Sequence, residues 1–156
     1  MDTSDFRRTL IELFPRLSVE TAKIVAPTSK QYNCVAYAAG DVGQWWGTEV
    51  AGDYWPDHAS RTRRLESLIE VFTSLGFQRC QDSSLESGYE KVVLYEEQGE
   101  WTHAARQTST GRWRSKLGEG PLIEHLSPES LSGGAYGEPT VYMRRPAPLT
   151  AGAMTD

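Results

Sequence analysis

The chain is poor in the features that usually assign a protein at sight. Its 156 residues include two cysteines, Cys34 and Cys80, and three histidines, His58, His103 and His125. Two cysteines without a signal peptide do not make a disulfide framework, so free thiols are expected. No cysteine or histidine pair has metal-site spacing, so no metal and no cofactor is expected. No apolar run approaches the length of a membrane span. The N-terminus, Met1-Asp2-Thr3-Ser4-Asp5, is acidic and lacks the basic and apolar regions of a secretory signal. Basic charge is not in excess either. The net charge is −5, which argues against a general nucleic-acid binder, and the cluster Arg61, Arg63, Arg64 reads as a solvated helix face. These absences predict a cytoplasmic protein with neither membrane nor nucleic acid as partner. Export as an effector by a route that needs no signal peptide is the alternative. No oligomeric state is assigned.

What is present suits one globular domain, at 38% hydrophobic and 10% aromatic residues. The most informative stretch runs from Gln31 to Asp41. Asn33 is a favoured N-cap, and the small and apolar residues after it suit a short buried helix. That places Cys34 in a first helical turn, where unpaired N–H groups and the helix dipole favour thiolate over thiol. Such a thiol needs a base that takes its proton and later returns it to a leaving group.

The remainder reads in order. A helix is predicted over 5–14 from the stripe Phe6, Leu10, Leu13, Phe14, capped by Ser4 or Asp5 and stopped by Pro15. Residues 18–30 are mixed. Trp45, Trp46 and Trp55 lie in an aromatic, glycine-containing segment, read as core or, more sharply, as the wall of a substrate cleft. A helix capped by Ser60 carries Leu65, Leu68, Ile69, Phe72 and Leu75 on one face and ends at Gly76. Strands are predicted at 77–80, 91–95, 101–107, 112–117 and 140–144, with a one-turn helix at 127–131. The order, helices then strands, predicts an α+β domain over 1–146, with N-terminal helices packed on one face of an antiparallel meander sheet. A disordered tail is expected over 147–156. Of the histidines, His103 is best placed as the base. It lies on a strand between small residues, on the face of Trp101, Ala105 and Gln107, where the Cys34 helix has room to approach.

A cysteine at a helix start, then a histidine on a strand, then a polar residue on the next strand resembles the papain-like thiol hydrolases. The residues Tyr32 to Tyr37, Lys91 to Tyr95 and Thr102 to Ala105 look most like the compact bacterial branch with the NlpC-type peptidases and CHAP amidases. The resemblance covers roughly residues 30–117. It implies a papain-like fold, Cys34 as nucleophile and His103 as general base. The sequence departs from the family at the third member, where the next strand offers Ser115 and Lys116. Lysine is a poor partner because a charged ammonium accepts no hydrogen bond, so Ser115 is preferred, with Gln107 and Glu124 as alternatives. The Cys34 N–H and Gln31 are the candidate oxyanion donors. Cys80 is assigned to packing.

The expected function is a cysteine hydrolase or transferase that acts on an amide or isopeptide bond of a peptide or protein. Peptidase, amidase and protein deamidase all fit. Cys34, His103 and Ser115 would carry the chemistry, and Gln31, Asn33, Trp45, Trp46, Trp55 and Gln107 would line the substrate. The alternative is an inactive binding or regulatory protein on the same fold.

Overall fold

The computed structural model describes residues 3–18 and 21–148, with side chains from Arg7 onward. Helix α1 spans Thr3–Leu13, strand β1 Lys23–Ala26, α2 Cys34–Ala39, α3 Leu65–Ser74, β2 Gln78–Cys80, β3 Tyr89–Glu97 and β4 Glu100–Gln107. Then come β5 Trp113–Lys116, β6 Leu122–His125, a one-turn 3-10 helix Pro128–Leu131 and β7 Glu138–Pro146. The strands form one seven-stranded sheet in the order β1-β6-β5-β4-β3-β7-β2. Every neighbouring pair is antiparallel, so the chain is α+β as predicted.

The meander holds from β3 to β6 and then breaks. β7 returns to the far side of β3, and β1 closes the opposite edge beside β6. The helices do not all precede the sheet, because β1 comes before α2 and α3. Neither β1 nor β6 is legible in the sequence. All four residues of β6 are buried, Leu and Ile together with Glu124 and His125, so the apolar–polar alternation that marks a half-exposed strand is missing. β1 is a four-residue edge strand, exposed at Lys23 and Ile24.

Side chains alternate across β3 and divide the core. Val92 and Leu94 join a cluster with Val35 and Ala36 of α2, Leu68, Val71 and Phe72 of α3, Trp46 and Trp55. Val93 and Tyr95 join a second cluster with Leu10, Phe14, Leu17, Trp113, Ile123 and Leu131. Helical segments therefore cover both faces of the sheet, where the sequence reading had put them on one. The two core clusters lie back to back across β3 and β4.

Local starts and stops also differ from expectation. α1 begins at Thr3, ahead of the expected caps Ser4 and Asp5; their side chains and that of Phe6 lie outside the described residues. α3 begins at Leu65, with Arg64 in the N-cap position and no side-chain cap. Ser60 does not cap it. Its N–H donates to Glu70 Oε1 at 2.8 Å instead. Of the expected tail, residues 149–156 lie outside the described residues, and the N–H of Ala147 donates to the Gly88 carbonyl at 2.8 Å.

The predicted cap of α2 is present. Asn33 Oδ1 accepts the N–H groups of Ala36 and Trp46, each at 3.2 Å, while its Nδ2 donates to the Trp46 carbonyl at 2.7 Å. One buried amide thus starts the helix and pins the aromatic segment to it. Asn33→Ala removes the cap and leaves both backbone groups of Trp46 unpaired, a loss of about 3 kcal/mol in urea denaturation. Asn33→Asp retains the acceptor and is expected to lose about half as much.

Candidate active site

Cys34 is the first residue of α2 and is 7% exposed. The β4–β5 ladder pairs Gln107 with Trp113 and Arg106 with Arg114, and then stops. α2 enters where the two strands part. The N–H of Ala104, beyond the last pair, faces the Cys34 sulfur and favours its thiolate, together with the N–H groups of Val35 and of Cys34 itself. The helix packs on the Ala104 face rather than the His103 face, which corrects the expected arrangement. A bulge between Tyr95 and Glu96 also turns Trp101 to the α2 side, away from His103 and Ala105. The thiol therefore meets the peptide unit that joins His103 to Ala104, at the opening between strands.

His103 heads a row of buried polar side chains. Its Nε2 lies 2.9 Å from Ser115 Oγ, which lies 2.8 Å from His125 Nε2. His125 Nδ1 lies 2.8 Å from the Ser127 carbonyl. His103 and Ser115 are fully buried and His125 is 1% exposed. A carbonyl only accepts, so the proton of neutral His125 sits on Nδ1 and its Nε2 is an acceptor. Ser115 must then donate to His125 and accept from His103 Nε2. This leaves His103 Nδ1 as the unprotonated nitrogen, buried and, among the described residues, without a hydrogen-bond partner. The Tyr136 ring stacks on the imidazole at 4.0 Å and 3°, and Tyr95 meets it edge-on at 5.2 Å.

Ser115 is thus the residue beside His103, and the competing candidates have other partners. Glu124 receives Arg112 at 2.8 Å, Arg114 at 3.1 Å and Lys23 at 3.3 Å. Gln107 lies at the other end of β4, where its Nε2 donates to the Ser83 carbonyl at 2.9 Å. His125 went unselected because β6 is not legible as a strand. The antiparallel register is the signal that finds it. Ser115 pairs with Ile123 and Trp113 with His125, so Ser115 and His125 are diagonal neighbours on one face.

Trp46 and Trp55 of the aromatic segment are buried in the core. Trp46 donates from Nε1 to Asp41 Oδ2 at 2.8 Å and packs on Tyr54. Trp55 stacks on Trp101 at 5.6 Å and donates to the Ser60 carbonyl. Trp45 is half-buried. Gln31 is exposed, with its N–H on Ser29 Oγ, and Asn33 is committed to its cap.

Burial sets the resting charge state. It pushes the Cys34 thiol up, against the three N–H groups and the charge of Lys116, which favour the thiolate. It drives His103 well below the ordinary histidine value, with the His125 charge adding in the same direction. At neutral pH the site therefore rests as a neutral thiol and a neutral imidazole. The sequence reading had favoured the thiolate; a six-residue helix does not outweigh the desolvation of a buried sulfur.

Among the described residues no group of three or more His, Cys, Asp or Glu side chains is placed to hold a metal ion. No helix among them is long and apolar enough to cross a membrane. Residues 23–144 match the model of a family described as a domain of unknown function (DUF7689). No curated protein and no solved structure matches the chain.

The row makes stability depend on acid. Burial lowers His125 from 6.5 to about 4. As pH falls through 6.5 the unfolded imidazole takes up a proton that the folded one refuses, so stability is full above about 6.5 and declines towards pH 4. For His125 the loss is about 3 kcal/mol, and His103 acts with the same sign. Denaturant unfolding between pH 7 and pH 4.5 reads this slope, and His125→Gln is expected to flatten it.

Proposed function

The chain belongs to the DUF7689 family, and we propose that it is a cysteine-dependent hydrolase or transferase of papain-like architecture acting on an amide or isopeptide bond. The observation that carries the reading is the buried, unpartnered Nδ1 of His103. Its other nitrogen is held by Ser115, which His125 holds in turn, and the N–H of the next residue, Ala104, faces the Cys34 sulfur. A lone pair withheld from both water and protein is costly unless it has a proton to receive. In this reading the Cys34 thiol, which meets the peptide unit between His103 and Ala104, supplies one. Catalytic hydrogen bonds are commonly long in an empty site and tighten when substrate binds.

In this mechanism Nδ1 of His103 takes the Cys34 proton as sulfur attacks the carbonyl carbon. The tetrahedral oxyanion forms beside the N–H groups that already face the sulfur, those of Cys34 and Ala104 among them. Collapse breaks the C–N bond, and the Nδ1 proton passes to the departing nitrogen. Water then adds to the thioester and gives a proton to Nδ1. The acid is released, and the proton returns to sulfur. Another amine in place of water gives transfer. Ser115 and His125 keep Nε2 protonated throughout, so that Nδ1 remains the base.

The burial of Cys34 and His103 supports a second reading, a binding protein that keeps the arrangement without turnover. Alkylation separates the two. If His103 acts as base, iodoacetamide labels Cys34 ahead of the more exposed Cys80, and His103→Ala slows that labelling by about tenfold or more. p-Nitrophenyl acetate is expected to release a stoichiometric burst from the native protein and none from Cys34→Ala. Preferential labelling of Cys80, unaffected by His103→Ala and with no burst, leaves only the binding reading.

A further inference from the structure

Lys116 has no part in the chemistry above, and its setting is unusual for a lysine. It is fully buried. Its Nζ donates to the Ser29 carbonyl at 2.7 Å and to the Gly118 carbonyl, and lies 4.8 Å from the centre of the Tyr32 ring. Among the described residues its ammonium forms no ion pair with a carboxylate. Carbonyls and a ring face stabilise a cation, but they do not neutralise it, and a buried ammonium ordinarily has an anion beside it.

The register shows where that anion belongs. The last β4–β5 pair is Arg106 with Arg114. Continued along the strands, the same register sets Ala104 across from Lys116, and the Ala104 N–H is the group that meets the Cys34 sulfur. Tyr32 and Ser29, the groups around the ammonium, belong to the segment that leads into Cys34. The segment that carries the sulfur thus borders the Lys116 ammonium, and the charges of Cys34 and Lys116 act on each other.

We propose that Lys116 is the electrostatic partner of Cys34, a positioning residue whose buried charge stabilises the thiolate and thioester-forming anion during turnover. This rests on the proposed function and adds to it. In the resting state the thiol is neutral and the ammonium is held by carbonyls. When His103 takes the thiol proton, sulfur becomes the missing counterion. The other groups that bear on the pair are Glu119, whose charge favours the lysine cation, the neutral phenols of Tyr32 and Tyr136, and the neutral imidazole of His103. The anionic thiol and Tyr136 disfavour each other's ionisation, which leaves Lys116 as the cation that favours the thiolate.

The pH dependence of Cys34 alkylation by iodoacetamide tests this in the full chain. Lys116→Met is expected to raise the midpoint by about one pH unit or more, and Lys116→Arg to hold it near the native value. A purely structural lysine lowers stability in both variants and leaves the midpoint in place, which overturns the proposal. Reciprocity gives a second readout that does not depend on a folded Lys116 variant. In Cys34→Ser, NMR titration of the Lys116 Nζ is expected to show a lower pKa than in the native protein, and an unchanged value overturns the pairing. The two ideas fail separately. Alkylation that ignores His103 but follows Lys116 removes the hydrolase reading and leaves the pairing. Alkylation that follows His103 and ignores Lys116 removes the pairing alone.

Discussion

Backbone groups deep in a sheet must be paired, and the site is built on one pair that the sheet does not make. The β4–β5 ladder ends at Arg106 and Arg114, so Ala104 has no partner on β5. A buried N–H without an acceptor costs about 1–3 kcal/mol. Sulfur from the start of α2 is the group that this N–H faces. To put a helix start there, the chain needs a cap that consumes no space on the sheet side. Asn33 provides it while fixing Trp46 behind the helix. The small residues Ala36 and Ala38 on α2 and Ala104 on β4, all buried, then allow close packing. The separated strands, the cap and the alanines are one construction.

That construction places the thiol between two environments. On one side are α2, α3 and the tryptophans; on the other are the stacked rings of His103 and Tyr136. Both sides are dry, and dryness decides the electrostatics. It suppresses charge on sulfur and on imidazole alike, so the proton stays on the thiol until something compensates its departure. Glu124 and Glu90 are also buried, yet each is surrounded by guanidinium groups, Arg112 and Arg114 for the first, Arg106 and Arg145 for the second. The contrast separates carboxylates that brace the sheet from a thiol and imidazole that rest uncharged.

The parts of this arrangement that were legible in the sequence are those with local signatures. Asn33 before a run of small residues announces a cap, and Cys34 follows from it. His103 and Ser115 sit on strands long or alternating enough to be read. What stayed hidden depends on burial from both sides. β6 lost its period because Glu124 and His125 point inward like Leu122 and Ile123, and with it went the second imidazole of the row. For Trp46 and Trp55 core is the commoner reading and cleft the sharper one, and composition does not decide between them, since a tryptophan whose indole N–H has found a partner is at home in either. The alternation along β4 does not carry Trp101 and His103 to one face, because Thr102 is an extra residue opposite the Tyr95–Glu96 step and nothing in the sequence marks it. Lys116 offers no acceptor to His103, but a residue that cannot accept a hydrogen bond can still contribute charge.

The row of His103, Ser115 and His125 has a further property. A hydroxyl between two imidazoles has one hydrogen, so the row can be written with either of two polarities. Inverting it would place the protons on Nδ1 of His103 and Nε2 of His125, and would turn a lone pair of His125 against the lone pair of the Ser127 oxygen. The carbonyl forbids that and so selects one polarity for all three side chains. The choice of reactive nitrogen is therefore made by a backbone atom at the turn after β6, and a change in that turn's conformation would rewrite the site without touching any residue in it.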